Sequence, residues 1–163
     1  MMNETDLHHL RRCIELAQQA LDKGDEPFGS LLVDGHGKIR FEDHNHVAAG
    51  DATQHPEFAI ARWAATHLSA EERRAATVYT SGEHCPMCAA AHGWVGLGRI
   101  VYASSSEQLG QWLAQWEVAP APVAPLPIGS IVPGLQVDGP VAAFGDTIRE
   151  LHRRYHQEKR LRG

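Results

Sequence analysis

Apolar residues return at three- and four-residue steps at Leu7, Leu10, Ile14, Ala17 and Leu21. That spacing predicts a helix with one buried stripe, with Gly24 as its stop. The pattern then changes period. Phe28-Gly29-Ser30-Leu31-Leu32-Val33 reads as a strand, Asp34-Gly35-His36-Gly37 as a turn, and residues 38–41 as the returning arm of a hairpin. Residues 44–53 are a polar loop. From His55 the pattern is helical again, with Pro56 suited to a first turn, where its missing N–H costs nothing, and with Phe58, Ala61, Ala65 and Leu68 as the inward face. Val78-Tyr79-Thr80 is a short strand. A further helix is expected from Cys85 to about Val95, with Pro86 in its first turn and Gly96 and Gly98 after it. Residues 99–103 form another strand.

The last third is less regular. Residues 107–116 suit a helix, and residues 119–127, with four prolines, an extended loop. Leu135-Gln136-Val137 is a candidate short strand. Ile148, Leu151 and Tyr155 mark a carboxy-terminal helix with a frayed basic end. Strands alternating with helices predict an α/β sandwich with crossover helices.

Composition narrows the class. A chain of 163 residues suits one domain, 1–163, able to bury a core without disulfides. The net charge of -5 argues against general nucleic-acid affinity. The acidic, polar start lacks the features of a signal peptide, and no apolar run is long enough to span a membrane, so a cytoplasmic protein is expected. Cys13 fits beside the first helix's stripe as a small apolar residue. Cys85 and Cys88 form a C-x-x-C, which in a reducing compartment points to metal or redox chemistry.

The chemistry concentrates in His55-Pro56-Glu57 and Cys85-Pro86-Met87-Cys88. The second motif begins 28 residues after Glu57. Three zinc-type ligands leave one corner of a tetrahedral ion open, and Glu57 is the carboxylate beside it. H-x-E followed by C-x-x-C is the order of the zinc deaminases. The redox reading lacks the strand order it requires. A closed structural site is the stronger rival, because His92 shares a helix face with Cys85 and Cys88 and could become a fourth ligand.

The remaining histidines carry weaker signals. His8, His9, His36, His67 and His152 are expected at the surface. His44 and His46 alternate on one face and suit a polar edge or a metal. His84 and His92 are candidates to line the site. Trp112 and Trp116 suit the core or a dimer interface.

These motifs, together with residues 27–33, Asn45, residues 50–57, residues 79–88 and residues 94–102, resemble the cytidine deaminase-like superfamily. Within it the branch is that of guanine, cytosine and tRNA adenosine deaminases. The likeness covers about residues 25–103, and residues 104–163 would complete the pocket or a dimer. It implies a three-layer α/β/α sandwich with a five-stranded mixed sheet. It also implies Zn²⁺ on His55, Cys85 and Cys88, with Glu57 as proton shuttle and a free nucleobase or related amino-heterocycle, guanine-like, as substrate. Phe28, Asn45 and Trp94 would contact substrate, Trp94 at a partner's site in a domain-swapped homodimer. Tyr155 is a candidate for the aromatic that closes the pocket. Three departures touch the site: Pro56 in place of Ala, His84 in place of Pro, and His92 in place of an apolar residue. Two rival readings are a tRNA adenosine deaminase, with Arg149, Arg153, Arg154, Lys159 and Arg160 as its cationic patch, and a non-catalytic zinc-stabilised module.

Overall fold

The computed structural model describes residues 2–163; Met1, first residue of the polar amino-terminal stretch, lies outside them. Helix α1 spans Glu4–Asp22 and opens with a capping box between Asn3 and Asp6. Its buried face is centred on Leu10, Cys13, Ala17 and Ala20, so Cys13 lies within the stripe. The chain leaves it through Gly24, whose φ of +87° is strained for other residues. Strands β1 (Gly29–Val33) and β2 (Ile39–His44) form an antiparallel hairpin. Helix α2 (Pro56–His67) follows, then the short α3 (Ala70–Ala75) and strand β3 (Thr77–Gly82). Helix α4 (Pro86–Trp94) crosses to β4 (Ile100–Ser104), and α5 (Ser106–Gln115) leads into the Pro-rich segment. The chain finishes with α6 (Ile128–Ile131), β5 (Val137–Asp138) and α7 (Gly145–Arg162).

The sheet order is β2-β1-β3-β4-β5. β1 is antiparallel to both β2 and β3, while β3, β4 and β5 run parallel. The expected five-stranded mixed sheet is present, and alternation along its strands makes the layers. Leu31, Val33, Tyr79, Val101 and Ala103 pack on one face with Leu10 and Cys13 of α1, Trp112 of α5 and Ile148 of α7. Leu32 and Val78 pack on the other face with Ile60, Ala61 and Ala64 of α2. Ile100 and Tyr102 share that second face with Ala89 of α4 and Ile128 of α6.

Several expectations need correction. The inward face of α2 is Glu57, Ile60, Ala61 and Ala64; Ala65 is exposed and Phe58 half-buried. The face is rotated because it serves both the site and Leu32. His9 and His152 are buried rather than solvated. His9 packs on Tyr79, and His152 lies edge-on to Phe28 with ring centroids 4.9 Å apart. The basic end of α7 is helical through Arg162. Helices α3 and α6 have no counterpart in the sequence reading, because both are too short for a periodic pattern.

Candidate active site

The two motifs meet because two helices begin at the same end of the sheet's inner strands. β1 is antiparallel to β3 with Ser30 opposite Thr80, so the start of β1 lies beside the end of β3. Open α/β sheets bind ligands at such carboxyl ends. His55 is the N-cap of α2 and Cys85 the N-cap of α4, each followed by proline. Neither side chain is spent on capping its own helix. Both therefore turn toward the space between the helix ends, where free N–H groups and the helix dipole favour negative charge.

Three donors converge there. Cys85 Sγ and Cys88 Sγ each lie 3.5 Å from His55 Nδ1 and 3.6 Å from each other. A tetrahedral zinc with normal bond lengths sets its ligands roughly 3.6 Å apart for S and N and roughly 3.8 Å for two sulfurs. The donor set and spacing therefore fit zinc. Cys85 is drawn down to about 4 by its contact with Cys88, with burial opposing and His55 assisting. His55 rises to about 9 through its hydrogen bond with Cys85. Cys88 is pushed up, first by the same sulfur contact and then by burial.

Glu57 is buried beside the donors, with Oε2 3.7 Å from Cys88 Sγ. Its Oε1 can accept from the Ser30 hydroxyl at 3.1 Å; the Thr80 hydroxyl lies 3.2 Å away but has a closer acceptor in the Gly82 carbonyl at 2.8 Å, and it stands 2.8 Å from the Ser30 hydroxyl. Burial raises the carboxyl above its ordinary range, against the pull of His55. One oxygen is thus anchored to the sheet while the other faces the donors.

A cavity of about 420 Å³ opens over this group, lined by Phe28, His55, Glu57 and Cys85 at its floor. Other predicted residues lie elsewhere. Asn45 is fully buried outside the cavity lining; its Oδ1 accepts from Val47 N, and its Nδ2 has no partner. Trp94 is 89% exposed at the end of α4. Tyr155 packs with Ala17, Leu21 and Leu151. His84 and His92 are both buried and do not line the cavity. His92 Nε2 donates to the Gly98 carbonyl at 2.8 Å, so this ring is turned toward the backbone and the four-ligand arrangement does not form. His44 is buried and His46 exposed; with Asp25 they form a second group able to approach a metal. His44 Nε2 there lies 3.1 Å from Lys23 Nζ, and Asp43 holds His46.

Sequence reasoning missed Ser30, Thr80 and Glu83. Glu83 accepts from the backbone N–H of Ser106 at 2.8 Å and of Ile128 at 3.0 Å. Its place two residues before Cys85 was its one signal.

The probable cytosine deaminase of Schizosaccharomyces pombe is 38% identical over 109 residues, covering 66% of this chain and 65% of that protein. The tRNA-specific adenosine deaminase of Haemophilus influenzae is 31% identical over 109 residues, covering 66% and 63%. The chain thus spans less than two thirds of the length of either curated relative. A solved structure of guanine deaminase from Nitrosomonas europaea superposes with a TM-score of 0.67, covering 96% of this chain and 86% of that one at 16% identity, which speaks for the fold. No helix among the described residues is long and apolar enough to cross a membrane. The family model for the cytidine and deoxycytidylate deaminase zinc-binding region matches residues 3–104, and the chain belongs to that family.

Proposed function

We propose that the protein is a hydrolytic deaminase of a free nucleobase or related amino-heterocycle, with zinc held by His55, Cys85 and Cys88. The observation that carries this reading is the convergence of three donors at zinc spacing with a buried carboxylate, under an open cavity. Zinc held by these three residues would supply the Lewis acidity that activates water near neutral pH. Glu57 Oε2, which faces the donors, would take a proton from the attacking water and deliver it to the ring nitrogen beside the amine-bearing carbon. A carbon–oxygen bond forms, the carbon–nitrogen bond breaks, and Glu57 relays the second proton so that ammonia leaves. Ser30, set in place by the neighbouring Thr80 hydroxyl, would hold Oε1 while Oε2 works. Phe28 walls the floor.

The tRNA reading is weaker. No Lys or Arg is among the cavity's lining residues. Four of the five cations named for such a patch have partners on the surface of α7 and its neighbours: Arg153 with Glu150, Arg149 over Trp116, Lys159 over Tyr155, and Arg160 with the Trp116 carbonyl. A backbone-gripping patch needs such charges at the site. The exposed Trp94 is the side chain we assign to a homodimer contact. Trp94→Glu should shift the sedimentation of a dimer toward the monomer; an unchanged dimer removes Trp94 from that role.

Metal analysis and ammonia release test the reading together. Purified protein should hold about one zinc per chain, and Cys88→Ala should lose both zinc and turnover. Full zinc content in His55→Ala, Cys85→Ala and Cys88→Ala would place the metal elsewhere.

A further inference from the structure

The cavity is larger than a bare base requires. A purine, on the order of 120 Å³ in van der Waals volume, takes up roughly 160 Å³ at interior packing density. The cavity measures about 420 Å³. Its floor carries the chemistry, and its outer wall is apolar: Leu109 and Leu113 come from α5, and Val118 and Val123 from the segment that follows.

This wall is held in place from the site itself. Glu83 binds the first residue of α5 through Ser106 N and the first residue of α6 through Ile128 N. Both ends of the wall segment are therefore tied two residues from Cys85. Helix α5 is further fixed by a capping box between Ser105 and Gln108 and by buried Trp112. Val118 N donates to Leu113 O, folding the segment back on the helix.

The wall offers little to the polar far edge of a bare base. Each Glu83 carboxylate oxygen already accepts a backbone N–H and the group has no donor to offer, and beyond the floor Ser106 is the remaining polar side chain of the lining. A base edge desolvated against Leu and Val leaves its donors and acceptors unpaired, which weakens binding. A phosphate or ribose phosphate finds no cation there.

Resting on the deaminase reading, we infer that the substrate is an amino-heterocycle carrying an uncharged alkyl or aryl substituent opposite the leaving amine. The amine-bearing carbon faces Glu57 and the donors, and the substituent lies on Leu109, Leu113, Val118 and Val123. The bond changes are unaltered: water adds, ammonia leaves, and the substituent takes no part.

The test pairs cytosine and guanine with their N1-butyl and N9-benzyl derivatives. Binding to the zinc-loaded protein is measured by calorimetry, and turnover by ammonia release. At least one derivative should bind more tightly than its parent by roughly fourfold per buried methylene, with a more negative heat-capacity change. Its kcat/KM should exceed the parent's by at least about tenfold, given several buried methylenes. Leu113→Asn should shrink that ratio. Parents that bind and react as well as every derivative overturn the inference and leave the deaminase reading standing. Ammonia from neither set overturns both. A Leu113→Asn variant that breaks a dimer but preserves the ratio assigns the wall to a second copy of the chain and overturns the inference.

Discussion

Glu57 is the residue where burial meets the proposed chemistry. A buried carboxyl with a raised affinity for protons is suited to carry one between two nearby atoms. The Ser30 hydroxyl, backed by Thr80, engages Oε1 and leaves Oε2 toward the donors. Replacing both, as Ser30→Ala with Thr80→Val, should lower kcat by about tenfold or more through misorientation while zinc content stays full. An unchanged kcat would show that the two hydroxyls do not position Glu57. The convergence of His55, Cys85 and Cys88 with Glu57 beside them was legible, because two short motifs fix their spacing. Ser30, Thr80 and Glu83 were not. Serine and threonine inside a strand carry no periodic signal, and their value depends on which side chain the partner strand sets opposite them.

At the scale of elements, the site depends on α2 and α4 starting side by side at one end of the inner strands. The sequence announced both starts through Pro56 and Pro86. It did not announce how closely α1 approaches β1. A Cβ at Gly29 would collide with the backbone carbonyl of Cys13, and would stand 2.5 Å from Leu16 Cβ and 2.7 Å from Ala17 N. Gly29→Ala should therefore destabilise the protein by about 2–4 kcal/mol in denaturant titration, since backbone cannot yield as a side chain does. A loss below about 0.5 kcal/mol would mean that α1 is free to move off the sheet. The short α3 and α6 and the rotated face of α2 escaped the sequence for one reason. Tertiary packing decides them, and local periodicity does not.

Across the whole molecule, one ionic network joins the helix layer to the sheet. Arg99, just before β4, forms two hydrogen bonds to Asp6 of α1, at 2.8 and 3.0 Å, and one to Asp138 of β5, at 2.8 Å. Tyr79 of β3 donates to Asp6 at 2.7 Å. Burial by itself would raise the Asp6 carboxyl, but Arg99 and Tyr79 outweigh it and hold it at about 2. The folded value lies below the unfolded one, near 3.9, so the stabilisation is full above about pH 5 and is lost as pH falls toward 2. The linkage amounts to roughly 2–3 kcal/mol. Buried His152, held at about 3 by burial and by nearby His156, acts with the same sign from about pH 6.5 downward. Unfolding followed by tryptophan fluorescence should show the wild type losing more stability than Asp6→Asn between pH 5 and 2. Parallel pH profiles would remove Asp6 from the acid response. The sandwich itself was legible from the alternation of periods and from the family resemblance. This network was not, because residues 6, 79, 99 and 138 meet through topology alone.

The most direct measurement compares ammonia release and bound zinc in wild type and Glu57→Gln over a panel of amino-heterocycles, parent bases and derivatives together. The amide keeps the shape of the carboxylate but cannot relay a proton. Wild type should release ammonia from at least one compound, and Glu57→Gln should retain about one zinc per chain while turnover falls by roughly 10²-fold or more. A Glu57→Gln protein that deaminates the same compound at the wild-type rate would contradict the proton-shuttle role and the hydrolytic mechanism built on it.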